Sequence, residues 1–281
     1  DASTGALTNI VALVDTTNLD GVNSVTLSPD GNNIYAVARD SQSIVHWDRD
    51  ASTGALTNQV AELDAVNLKQ AWGVTVAPDG KNVYAVAMDS KSIVHWDRDA
   101  SDGALTNKVV EIDATNLHGA NSVTLSPDGN NVYAVAGTSK SIVHWDRDLS
   151  TGALTNKVPL IDAYPYLYLW SVGSVIVSPD GKNVYAVAFS SGSIVHWDRN
   201  ILASTCDNID GSGSDFSSCV GGTNHLKDDL TGTCATDTCA ASDCCDANPT
   251  CNAINGAGDN FASCVGGTNH LKDDLTGTCA T

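Results

Sequence analysis

Four copies of His-Trp-Asp-Arg, at His46–Arg49, His95–Arg98, His144–Arg147 and His196–Arg199, each place an imidazole, a carboxylate and a guanidinium close together. These are the groups of proton transfer, metal ligation and anion recognition. A second four-fold set of acids, Asp15, Asp64, Asp113 and Asp162, suggests Asx turns that satisfy local amides. The same set leaves structural calcium open, because the chain is strongly acidic and calcium takes oxygen ligands. A third group is Cys206, Cys219, Cys234, Cys239, Cys244, Cys245, Cys251, Cys264 and Cys279, confined to the last 76 residues. Their intervals lack the paired C-x2-C hooks of a zinc site, so they read as disulfide candidates in an oxidising compartment.

The elements that must position these groups come from the repeat. The His-Trp-Asp-Arg copies are spaced by 49, 49 and 52 residues, and Pro-Asp-Gly follows the same ladder at Pro29, Pro78, Pro127 and Pro179. A period near 50 with turn signals inside each unit marks a propeller or a solenoid. Within the first unit four short strands are expected, at Ser24–Leu27, Asn33–Ala38, Ser43–Asp48 and Ala55–Val60, which makes each unit a propeller blade. Proline presets φ in Ser28-Pro29-Asp30-Gly31 and glycine takes the left-handed position that follows. Large Tyr35 and Val37 on one face of the second strand oppose small Ala36 and Ala38 on the other, a pattern suited to face-to-face packing of blades.

The predicted fold class is all-β: a four-bladed propeller over residues 1–200, followed by cysteine-rich modules at 201–250 and 251–281. Residues 6–14 match the outer strand of a blade, and the fourth unit lacks one, so the N-terminal strand is expected to close the ring. The segment Cys219–Thr236 recurs as Cys264–Thr281. The formal charge of −19 disfavours nucleic acid or an anionic membrane as partner, and no apolar run reaches the roughly 18 residues of a membrane helix.

The segments SPDGKNVYAVA (178–188), SIVHWDRD (92–99) and TGALTN (53–58) resemble the YVTN/lactonase-like β-propeller superfamily. The resemblance covers about 200 residues and recurs in all four units. It implies the propeller fold. It also implies either a lactonase-like enzyme, usually with seven blades, or a repeat protein of cell surfaces, and it supplies no catalytic residue.

With the histidines on the third strand, some two spacings of about 4.8 Å outside the channel, opposite copies are too far apart to share a metal. They are expected to be structural, with Asp48 accepting from turn amides or arginine and Trp47 packed between blades. Where the units differ is in the connections between blades, which share one face of the ring. That face carries Asn23, Trp72, Asn121 and Gly173 at equivalent positions, and the fourth connection concentrates Tyr164, Tyr166, Tyr168 and Trp170. Trp72 and these four aromatics are the candidate partner-binding residues, for protein or glycan. The functional expectation is an extracellular, non-catalytic structural or adhesive building unit whose partners are copies of itself. The alternatives are a secreted lactonase-like hydrolase and a carbohydrate- or protein-binding propeller.

Overall fold

In the computed structural model, the structure describes residues 5–162 and 168–199, with the backbone of 224–226 and 245–247. The chain divides into two compact units at the Arg199/Asn200 boundary. In the second, β16 (Asn224–Leu226) pairs antiparallel with β17 (Cys245–Ala247). All nine cysteine side chains, and with them the expected disulfide modules, lie outside the described residues.

The first unit is all-β, a propeller-like succession of blades. Three antiparallel sheets have four strands each: β1 (Val22–Leu27) to β4 (Leu56–Leu63), β5 (Ala71–Val76) to β8 (Leu105–Ile112), and β9 (Ala120–Leu125) to β12 (Leu154–Ile161). A fourth has three, β13 (Val172–Val177), β14 (Asn183–Ala188) and β15 (Ser193–Asp198). Strands β1, β5, β9 and β13 are innermost and contact one another in series. At Gly73 an added Cβ would lie 3.2 Å from the Asn121 carbonyl oxygen, so this inner approach of β5 to β9 leaves little room for a side chain.

Central strands such as β6, Asn-Val-Tyr-Ala-Val-Ala, are buried throughout because a blade is covered on both faces. Tyr35, Val37 and Ile44 of the first blade pack with Ala85, Val74 and Trp96 of the second, and Tyr84, Val86 and Ile93 pack with Ala134, Val123 and Trp145 of the third. Large side chains of one blade thus fill the space left by alanines of the next. The Pro-Asp-Gly hairpin closes with Gly31 N–H donating to the Ser28 carbonyl at 2.8 Å, and Gly31 takes φ +76°, a conformation costly for any other residue.

Two sequence expectations are corrected. Residues 6–14 form no strand, and Leu7, Ile10 and Val11 are almost fully exposed. The sheet is therefore not closed, and the expected four-bladed ring sealed by the N-terminal strand is not formed. The Asp48 carboxylate does not engage turn amides or arginine; it accepts from the side-chain amides of Asn33 at 3.0 Å and Asn58 at 2.6 Å. Asn58 (φ +51°) sits opposite a register shift between β3 and β4, where an extra residue turns its amide toward Asp48.

Burial lowers the pKa of His46, His95 and His144, with Asp48, Asp97 and Asp146 opposing it in turn. Each imidazole stacks near the tyrosine of its own blade, Tyr35, Tyr84 and Tyr133. A group whose folded pKa lies below its unfolded one holds fewer protons folded than unfolded. Its stabilisation is therefore complete above the unfolded value of about 6.5 and is lost as pH falls below it. Melting temperature should drop between pH 7 and 5, and His95→Gln should flatten that slope in a thermal-melt series; an unchanged slope would remove the histidines as its cause.

Candidate functional site

The arginines of the repeated tetrapeptide build the interfaces between blades. Arg98, at the end of β7, reaches back to the first blade. Its Nε donates to the Tyr35 hydroxyl at 2.9 Å, and Nη2 donates to Asn33 Oδ1 at 2.5 Å and Asp30 Oδ2 at 2.8 Å. Nη1 caps the Gly80 carbonyl of its own blade at 3.0 Å. Arg147 repeats this onto Tyr84, Asn82 and Asp79, and Arg199 onto Tyr133, Asn131 and Asp128. Burial alone would raise the Asp30 carboxyl, but Ser28 Oγ–H, Asn32 N–H and the Arg98 guanidinium outweigh it and hold the pKa at about 2. Burial pushes the tyrosines up, Tyr35 and Tyr84 to about 12.

The other repeated groups are likewise engaged. Trp96 and Trp145 donate to Glu62 and Glu111 of the preceding blade, both at 3.0 Å. Lys108 bridges Glu62 and Asp64, and Lys157 bridges Glu111 and Asp113. The Asx turns expected at Asp15, Asp64 and Asp113 form, with Oδ1 accepting the N–H groups two and three residues on. Among the described residues no group of three or more His, Cys, Asp or Glu could hold a metal ion.

A cleft of about 350 Å³ opens beside the first blade, lined in part by His46, Asp48, Asn58, Glu62 and Asp102. Its carboxylates are already engaged, Asp48 with two asparagines, Glu62 with Trp96 and Lys108, and Asp102 with the Ala104 N–H, while the His46 ring lies against Tyr35. Such a cleft holds the blade together and leaves little to a ligand.

The opposite situation holds on the face formed by the β2–β3, β6–β7, β10–β11 and β14–β15 turns and the connections between blades. There the backbone is repeated while the side chains are not. The carbonyls of Asp20, Lys69 and His118 accept the N–H groups of Ser41, Ser90 and Ser139 in the first three blades, and that of Trp170 accepts the N–H of Ser190 in the fourth. One structural position thus presents an acid, an ammonium, an imidazole and an indole in successive blades. Beside it, the Arg39 guanidinium pairs with Asp40 at 2.8 Å and lies 6.0 Å from the Trp72 ring centroid. Lys69 pairs with Asp89 at 3.5 Å, and Lys140 Nζ lies 5.5 Å from the Trp170 centroid. Asn121 donates to the Val172 carbonyl at 2.7 Å, while its own Oδ1 is buried without a partner.

Of the partner-binding residues expected from sequence, Trp72 and Trp170 stand on this face, each beside a cation, and Tyr168 and Trp170 are half exposed. Tyr164 and Tyr166 lie outside the described residues. Sequence reasoning missed Lys69, His118 and Arg39. The signal was there: they are positions at which otherwise near-identical units disagree in charge.

The family model described as "Lactonase, 7-bladed beta-propeller" matches residues 64–165, which form a lactonase-like propeller segment. Among solved structures, the chain resembles two proteins described as 6-phosphogluconolactonases. The one from Bacteroides uniformis has 21% identity and a TM-score of 0.54, covering 64% of this chain and 51% of the other. The one from Bacteroides fragilis has 19% identity and a TM-score of 0.52, with the same coverage. The periplasmic gluconolactonase of Pseudomonas aeruginosa has 17% identity and a TM-score of 0.51, covering 66% of this chain and 59% of the other. At these identities the likeness is one of fold, and the chain spans only about half the length of the two Bacteroides proteins. No curated protein sequence matches. The expectation of a non-catalytic structural or adhesive building unit is corrected by these matches, which favour the lactonase-like alternative.

Proposed function

We propose that the loop face of this propeller binds and hydrolyses the lactone of a sugar acid. The observation that carries the reading is the divergence of that face to Asp20, Lys69, His118 and Trp170 within a chain whose residues 64–165 match a lactonase model. Such a substrate is a polar ring with apolar C–H faces, an electrophilic carbonyl and, in many cases, an acidic tail. Trp72 and Trp170 offer flat surfaces for the ring. Arg39 and Lys69 offer cations for a carboxylate or phosphate and for the oxyanion that forms at the carbonyl. His118 supplies the base.

In the step proposed, water attacks the carbonyl carbon while the His118 imidazole takes one of its protons. The tetrahedral intermediate then expels the ring oxygen, the C–O bond of the ring breaks, and the imidazolium returns the proton to that oxygen. The product is the open-chain hydroxy acid, and the imidazole is regenerated. No group outside the chain and water is consumed.

The test is the initial rate of opening of glucono-1,5-lactone and its 6-phosphate, followed as acid release in a pH-stat against a buffer blank. A rate well above the blank is expected, with Trp72→Ala raising KM by about tenfold and leaving kcat within a factor of a few. A rate equal to the blank on both substrates would overturn the reading.

A further inference from the structure

Arg39 and Asp40 follow β2, where the first blade turns on the loop face. Backbone bonds fix both, Arg39 N–H to the Gly21 carbonyl at 2.9 Å and Asp40 N–H to the Asp20 carbonyl at 3.1 Å. Gly21 takes φ +66°, and a side chain there would run into the Asp40 carboxylate. The bare glycine thus leaves room for that carboxylate beside its neighbour. Arg39 Nε donates to Asp40 Oδ1 at 3.0 Å and Nη2 to Oδ2 at 2.8 Å, a bidentate pairing of guanidinium and carboxylate. The second blade has Met88 and Gln70 in the places of Arg39 and Gly21, and its Asp89 makes one longer ionic contact, 3.5 Å to Lys69.

Trp72 is brought beside the pair by an irregularity of β5. Ala71 pairs with Ala87 and Gly73 with Val86, so Trp72 is an extra residue in the strand, a bulge that re-aims its side chain. The same bulge in the other inner strands holds Asn23, Asn121 and Gly173, so of four equivalent positions one offers an indole. The Arg39 guanidinium carbon lies 6.0 Å from the centroid of that ring. Both side chains of the pair stay open to solvent, Arg39 41% and Asp40 46% exposed, where an ion pair adds little to stability. The arrangement is explained better by what it presents to a ligand than by what it stabilises.

We infer that Trp72 and the Arg39–Asp40 pair form a subsite for the vicinal hydroxyls of an uncharged sugar ring, with Asp40 setting specificity against a phosphorylated one. A hydroxyl both donates and accepts, and the pair answers both needs. The remaining lone pairs of the carboxylate accept, and the Nη1 donors that Asp40 leaves open donate. Adjacent hydroxyls complete this pattern while the C–H face of the ring lies on the indole. A phosphate binds a guanidinium through its fork, but here a carboxylate is already seated on that fork and the like charges repel. Nη1 and the loosely held Lys69 remain for the single charge of an oxyanion. The inference rests on the lactone reading for its ligand class and adds which lactone is taken, the unphosphorylated one.

Calorimetry with 1,5-anhydroglucitol and its 6-phosphate separates the two readings, because neither ring has a carbonyl to hydrolyse. The chain is expected to bind the neutral ring about tenfold or more tightly than the phosphate, and Asp40→Asn, with an unaltered melting temperature, should abolish that preference. Arg39→Lys, which loses the fork, should weaken the neutral ring by about tenfold, and it carries the test if Asp40→Asn does not fold. The inference is overturned if the neutral ring does not bind, if the 6-phosphate binds as tightly, or if neither variant changes the ratio of affinities. Binding of the ring without turnover of glucono-1,5-lactone leaves the subsite standing and removes the catalytic reading; turnover without ring binding does the reverse.

Discussion

Replacing Arg147 with alanine is expected to destabilise the propeller by about 3–5 kcal/mol, the range for removing one partner from a buried charged network. The side chain is fully buried between the second and third blades. Its Nε donates to the Tyr84 hydroxyl at 2.9 Å, Nη1 to the Gly129 carbonyl at 3.2 Å, and Nη2 to Asn82 at 2.6 Å and to both Asp79 oxygens at 3.0 Å. Alanine leaves Asn82 Oδ1 and the Asp79 carboxylate facing an emptied space. Most of the cost is therefore that of stranded acceptors. Lysine should rescue little, since one ammonium cannot reproduce three donors held in a plane. Arg49→Ala is the internal control, because that side chain holds a single carbonyl at 3.0 Å; it should cost no more than about 1.5 kcal/mol. Urea unfolding followed by tryptophan fluorescence gives both numbers. Equal effects for the two arginines would mean that the contacts between blades contribute little.

On lactone substrates, His118→Ala should lower kcat by about 10²–10⁴, the usual contribution of a positioned general base. KM should change little, because the proposed site assigns the ring to Trp72 and Trp170 and the anion to Arg39 and Lys69. The fold should survive the change: His118 is exposed, and what it gives the structure is backbone, its N–H to Ser139 Oγ at 3.1 Å and its carbonyl to Ser139 N–H at 3.0 Å. An unaltered melting temperature with collapsed kcat is the expected pair of observations. Wild-type turnover in the variant would move the base elsewhere on the same face, with Asp20 the first to test.

The blades were legible because two signals coincide in each unit, a Pro-Asp-Gly turn and an Asn-Val/Ile-Tyr-Ala-Val-Ala run, and a Gly-Ala hairpin joins them in the first three. The partner of the arginine was harder to see. Reading the tetrapeptide as a local cluster joined Arg98 to His95 and Asp97, whereas the structure joins it to Tyr35, 63 residues upstream, and to Asp30, 68 residues upstream. The clue was the constant offset, since Asp79 stands 68 residues before Arg147 in the same way. Closure by residues 6–14 was misjudged because sequence identifies a strand by its pattern and cannot supply the curvature that decides which edge it reaches. Trp72 and Trp170, singled out from the sequence, lie beside Arg39 and Lys140 on the loop face. Its charged members were overlooked because attention went to aromatic density in one connection and not to the changes between equivalent positions.

The regular clamp between blades also governs how such a chain can change in length. Each blade carries the arginine that grips its predecessor and the Asp, Asn and Tyr that receive its successor, so units are interchangeable at their borders. If residues 64–112 were cut out and Leu63 joined to Asp113, Arg147 would meet Asp30, Asn33 and Tyr35, and Trp145 would meet Glu62, groups of the same type at the same places. A gene can therefore gain or lose a blade by duplication or deletion without any new contact having to arise. What each added blade brings is one fresh position on the loop face, free to become an acid, a cation or a ring while the joints beneath it stay the same.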